Sequence, residues 1–124
     1  MYADLNFYKT VYVGTITDDT VINRLLRKTA FFIDTLTYNR IKKIGFENCS
    51  NYEKEIIREV NCQLADFYFE NEKDLKTIIN SYSLNGVSIT YGEDNNNIIT
   101  VNGITLLNST YTLLKSTRFT CLGL

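Results

Sequence analysis

Residues 18–36 read DDTVINRLLRKTAFFIDTL, and this stretch decides the fold. Ile22, Leu26, Thr29, Ile33 and Leu36 recur at three- and four-residue steps, and Leu25 and Phe32 widen the stripe. That period puts the apolar side chains on one face of an α-helix and predicts a helix over 18–36. Thr17 or Asp18 can cap it, and Asp18 and Asp19 place negative charge at its positive end. Its other face carries Arg24, Arg27 and Lys28. A second strong helical pattern follows. Ser50-Asn51-Tyr52-Glu53 is a capping box, in which serine and glutamate satisfy amide groups at a helix start. Ile56, Val60, Leu64 and Phe67 continue at helical spacing, predicting a second long helix over 51–71.

Outward from this pair the signals are shorter. Leu5, Tyr8 and Tyr12 share a helical face and Gly14 follows, which predicts a short first helix over 4–12. Residues 39–51, with Gly45, show no clear period and read as a connector. Beyond residue 71 the period falls to two. Ile78, Tyr82 and Leu84 precede Asn85-Gly86, and Val87, Ile89 and Tyr91 alternate after it. Asn-Gly favours the type I′ turn of a two-residue hairpin, so a β-hairpin is expected there. Residues 92–97 read as a polar loop, and calcium is not expected in it because the twelve-residue ligand pattern and its closing glutamate are missing. Val101, Ile104, Leu107, Tyr111 and Leu114 suggest a last helix, weakened by Gly103 in its first turn. Residues 116–124 form an apolar tail with no charge after Arg118. The expected fold is mainly α: one small domain over 1–124 with three to four helices, one β-hairpin and an extended C-terminal interaction tail.

At 124 residues the chain suits one domain with one real core. Hydrophobic residues make up 44% and charged residues 22%, which argues against disorder. The net charge of −1 argues against a general nucleic-acid binder. The charge is nonetheless segregated. Residues 24–43 carry a net +5 and residues 47–74 a net −5, so one segment attracts the other within a fold or between copies.

Chemistry is poorly represented. With no histidine, Ser-His and Cys-His catalysis is excluded, and three cysteines (Cys49, Cys62, Cys121) are too few for a tetrahedral zinc site. They read as small buried hydrophobes. The glycines are scattered and form no phosphate loop. Glu55 and Glu59, one turn apart, could hold a metal or share a proton, but a solvated or partner-facing stripe is the plainer reading. The tyrosines and phenylalanines could stack on bases, but most fall on apolar faces and suit core or interface. No signal peptide is expected from the first residues, and no apolar run approaches the ~18–20 residues of a membrane span. The residues alone describe a soluble, mostly helical interaction protein, with no enzyme activity, cofactor or metal expected.

Several stretches, in order, resemble the bacteriophage head–tail connector family, the adaptors that sit beneath the portal. Tyr8-Lys9-Thr10-Val11-Tyr12-Val13-Gly14 resembles the family's short first helix. Arg27-Lys28-Thr29-Ala30-Phe31-Phe32-Ile33-Asp34, followed by Thr37-Tyr38-Asn39-Arg40-Ile41, is similar to its long helix. Val60-Asn61-Cys62-Gln63-Leu64-Ala65 resembles its next helix, and Ser83-Leu84-Asn85-Gly86-Val87-Ser88-Ile89-Thr90-Tyr91 its hairpin strand. Tyr111-Thr112-Leu113-Leu114 and the closing Leu-Gly-Leu resemble the final helix and tail. One departure stands out: Cys121-Leu122-Gly123 occupies the place of the family's arginine-glycine pair, and the nearest arginine is Arg118.

The resemblance implies a structural virion protein of the phage neck, assembled in the bacterial cytoplasm. It would form a ring, of about twelve copies, on the portal, extend the DNA channel and present a docking surface to the next neck or tail protein. Double-stranded DNA would pass through without sequence-specific binding, and no membrane would be involved. Head-to-tail contacts need two complementary surfaces, so Arg24, Arg27 and Lys28 are the expected basic contacts and Glu55, Glu59 and Glu70 the acidic ones. Arg118, Phe119, Leu122 and Leu124 in the tail are expected to dock on the portal or an adjacent copy, leaving the monomer folded without them. The hairpin could face the channel or the next neck protein. The alternatives are a tail-completion or stopper protein of a phage or phage-tail-like particle and, more distantly, a small DNA-binding regulatory protein using the basic helix on phosphates.

Overall fold

The computed structural model describes residues 2–85 and 98–120 and, for 72–85, the backbone alone. The chain opens with α1 (Leu5–Phe7), which runs directly into a π-helical turn over Tyr8–Tyr12. Asp4 starts it, accepting the Phe7 N–H at 2.8 Å. It stops at Val13, whose φ of 55° is left-handed. Gly14 follows because nothing larger fits: a Cβ there would stand 2.1 Å from the Tyr8 ring.

Helix α2 (Asp19–Leu36) forms as its spacing predicts. Asp18 is its cap, accepting from Thr20 N–H at 2.9 Å and Val21 N–H at 3.4 Å. The expected connector contains two short helical pieces, α3 (Arg40–Ile44) and a 3₁₀ turn (Phe46–Asn48). The capping box then closes as expected, with Ser50 N–H donating to Glu53 Oε1 at 3.0 Å and Glu53 N–H donating to Ser50 Oγ at 3.1 Å. It opens α4 (Asn51–Asn85), fourteen residues longer at its end than the expected 51–71.

The hairpin exists but stands elsewhere. Residues 78–85, expected as its first strand, are the last turns of α4, while Val87, Ile89 and Tyr91 lie outside the described residues. An Asn-Gly pair is compatible with a helix end as well as with a hairpin turn, so the dipeptide alone does not choose between them. The hairpin pairs β1 (Ile98–Val101) antiparallel with β2 (Ile104–Leu107), Val101 facing Ile104 across the turn. The second Asn-Gly pair makes that turn, with φ of 52° at Asn102 and 82° at Gly103, the two positive values a type I′ turn requires. The expected helix over 101–114 is therefore corrected to a strand followed by α5 (Asn108–Lys115). The β-branched run Ile98-Ile99-Thr100-Val101 favours the strand over the coincident helical spacing. Among the described residues the architecture is thus five helices and one two-stranded hairpin.

Two apolar clusters hold these elements together. Ile22, Leu25 and Leu26 of α2 meet Tyr8, Ile16, Cys62 and Ala65 in one. Ile33 and Leu36 meet Ile41, Ile57, Val60, Leu64, Leu106, Leu114 and Phe119 in the other. The hairpin is fixed to α4 by Tyr68, whose hydroxyl donates to the Thr105 carbonyl at 2.6 Å. Thr110 Oγ1 donates to Gln63 Oε1 at 2.9 Å and ties α5 to the same helix.

Asn61 joins three segments at the buried centre. Its Oδ1 accepts from the Tyr2 and Ala3 N–H groups at 3.2 and 2.9 Å, and its Nδ2 donates to the Leu26 carbonyl and Thr29 Oγ1 at 3.0 and 2.9 Å. Both donors and both acceptor sites of the amide are used. Asp66 performs a similar task at the surface, accepting the Tyr8 hydroxyl at 2.5 Å and the Tyr12 hydroxyl at 2.8 Å. The N-terminal segment is thereby strapped across α2 and α4. Lys9 pairs with Asp19 at 2.5 Å at the strap's outer edge.

Candidate protein–protein interface

The two long helices turn opposite charges outward. On α2, the positions away from the core are Arg24, Arg27 and Phe31, all exposed. Phe31 is 55% exposed, in a helix whose other large apolar residues are buried or half-buried. Just beyond the helix, Tyr38 and Asn39 take left-handed φ values of 56° and 59° and turn the chain into α3, which displays Lys42 and Lys43. The Arg40 guanidinium lies over the Tyr38 ring, 5.4 Å from its centroid. Lys28 is half-buried, with its ammonium 5.7 Å from the Tyr68 ring centroid.

A groove of about 500 Å³ lies beside Phe31. Ala30 is its buried wall and Tyr2 a half-buried one, while Asn23, Arg27, Phe31 and Lys42 are exposed around it. Asp34, the carboxylate of this lining, is buried and accepts the Tyr2 hydroxyl. Burial, followed by that hydrogen bond and the charge of Asp34, pushes the Tyr2 hydroxyl well above the ordinary tyrosine range. Tyr2 therefore stays protonated and keeps Asp34 occupied. The groove has largely apolar walls and presents two exposed cations, Arg27 and Lys42.

On α4, helical spacing sets Tyr52, Glu55, Glu59 and Glu70 on the side away from the core. Tyr52 is 59% exposed, Glu55 and Glu70 are exposed, and half-buried Glu59 accepts from Gln63 Nε2 at 3.2 Å. Among the described residues, no ion pair joins Arg24 or Arg27 to these acids. Helices α2 and α4 meet through Leu25, Leu26, Ile33, Val60 and Leu64; Arg24, Arg27, Glu55 and Glu70 are exposed away from that contact, whereas Lys28 reaches toward Tyr68 of α4.

The tail residues are placed differently from expectation. Phe119 is 1% exposed and belongs to the chain's own core, so it is corrected from a docking residue to a structural one. Arg118 pairs with Glu53 at 3.1 Å and holds the segment against the start of α4. Burial raises the Glu53 carboxyl, but the Ser50 N–H and the Arg118 guanidinium outweigh it and hold the group below its usual range. Leu122 and Leu124 lie outside the described residues. Phe31, Tyr52 and Lys42 were not singled out by the sequence pattern; the available signal was a large ring at an outward helical position.

Cys49 and Cys62 are buried and free, as small hydrophobes are expected to be, and Cys121 lies outside the described residues. Burial, with nearby Glu59, Asp66 and Asp4, pushes the Cys62 thiol up to about 12, far from a reactive thiolate. Among the described residues, no group of three or more histidine, cysteine, aspartate or glutamate side chains could hold a metal ion, and no helix is long and apolar enough to cross a membrane. Comparison of the chain with protein-family models, with curated proteins and with solved structures finds no match.

Proposed function

We propose that this chain is a structural protein of the phage neck, a non-enzymatic adaptor that assembles with itself on a portal and receives the next neck or tail protein. The observation that carries the reading is the outward segregation of charge: a cationic, aromatic face on α2 and an anionic, aromatic face on α4 of one tightly packed unit. Such a unit has two unlike surfaces of opposite sign, which a head-to-tail ring requires. The order of stretches resembling head–tail connectors supports the same reading. The proposed site of action is the virion neck, reached after assembly in the host cytoplasm.

The test mixes the purified chain with the portal encoded beside it and images the complex. A ring on the narrow end of the portal is the expected result. Attachment to the upper end of a tail instead would make the chain a tail-completion or stopper protein. Binding to neither partner, together with salt-sensitive binding to double-stranded DNA, would replace the reading by the regulatory one.

A further inference from the structure

We infer that the groove beside Phe31 is a socket for the acidic face of α4 on a second copy of this chain, with Tyr52 entering the groove and Glu55 meeting Arg27 and Lys42. The inference rests on the self-assembly reading above and names the contact that reading needs.

Charge, together with an exposed ring suited to an apolar groove, selects the occupant. The groove mouth carries Arg27 and Lys42, and its lining carboxylate, Asp34, is already bound by Tyr2. An acidic partner is therefore favoured at the mouth and an apolar one within. The chain itself offers that combination one helical turn apart: Tyr52 is 59% exposed, and exposed Glu55 follows on the same face. The nearby cations do not oppose the contact: the Arg58 guanidinium lies over the Phe46 ring, 5.3 Å from the centroid, and half-buried Lys54 pairs with Glu47 at 3.8 Å. Exposed ion pairs hold surfaces weakly, so the seated ring carries the contact and the charges set its register and partner.

Socket and plug are different surfaces, so the contact is head-to-tail. Each copy uses its socket on one neighbour and its plug on the other. Assembly then continues past the dimer until a ring closes or a filament runs on. This predicts a pattern that a two-fold contact cannot give. A copy with only its socket and a copy with only its plug pair once and stop.

The experiment uses the full chain, the socket variant Arg27→Glu/Lys42→Glu and the plug variant Tyr52→Ala. All three positions are exposed, and circular dichroism checks that each variant is folded. Mass is followed by sedimentation across concentration, alone and with portal. The wild type is expected to form species larger than a dimer, and each variant alone to lose association at least about tenfold. An equimolar mixture of the two variants is expected to give a one-to-one dimer and nothing larger. The inference is overturned if the wild type stays monomeric in both settings, if either variant assembles like the wild type, or if the mixture stays monomeric. It is also overturned if the groove instead takes up double-stranded DNA, shown by DNA binding that the socket variant loses while self-association is absent. Portal binding separates the two readings: rings on the portal that ignore both variants keep the adaptor function and discard this contact. The predicted dimer pattern without portal binding keeps the contact and discards the adaptor function.

Discussion

Asn61 is a buried polar side chain held where α2, α4 and the N-terminal strap meet. Asn61→Ala would strand the Tyr2 and Ala3 N–H groups and cut the bonds that tie α4 to the Leu26 carbonyl and Thr29 hydroxyl of α2. A loss of about 2–4 kcal/mol in chemical denaturation is expected, larger than a typical surface change. Glu53 gives a second residue-scale prediction, in pH. Its folded carboxyl lies below the ordinary 4.5, so its contribution is full above that value and is lost as the pH falls through the lower folded one. Glu53→Gln should therefore flatten the acid limb of a stability-against-pH curve, and Arg118→Ala should flatten it in the same direction. The capping half of this arrangement was legible, because Ser50 and Glu53 are neighbours in sequence. The Arg118 half was not, since nothing local links residues 53 and 118.

At the scale of elements, two Asn-Gly pairs compete for one hairpin signal. Asn85 of the first pair is the last residue of α4, and the pair at 102–103 lies between two strands with β-branched residues. Turn chemistry alone does not separate them; the flanking runs do. Gly103→Val tests the assignment. A φ of 82° suits glycine and penalises a β-branched residue, although open space surrounds the position. A loss of about 1–2 kcal/mol in thermal or chemical melting is expected, and an unchanged melt would refute the turn. Helices α2 and α4 were legible because their periods are long and their caps local. Helix α3 was not, because five residues carry too little period to read.

At the scale of the whole molecule, the C-terminal segment belongs to the fold before it belongs to any partner. Phe119 fills the larger core cluster and Thr117 is buried beside it, its hydroxyl donating to the Leu114 carbonyl at 2.7 Å. Truncation after Ser116 should thus lower stability by about 3–5 kcal/mol, the range for deleting a buried ring, with a matching fall in the melting temperature. A truncated chain as stable as the full one would free the tail for docking and overturn this placement. The segregation of basic and acidic residues could be read directly from the chain. That the two helices would meet through their apolar faces and leave those charges outward could not, because helix rotation is set by packing among distant residues.

The strap has a consequence for the order in which the protein is made. Residues 2–16 leave the ribosome early, yet their anchors, Asn61 and Asp66, are synthesised much later. Until those residues emerge, the strap has only α2 to rest on, and Tyr8 and Tyr12 have no carboxylate to receive them. A segment translated before its anchors must therefore wait, and its docking records that α4 has arrived.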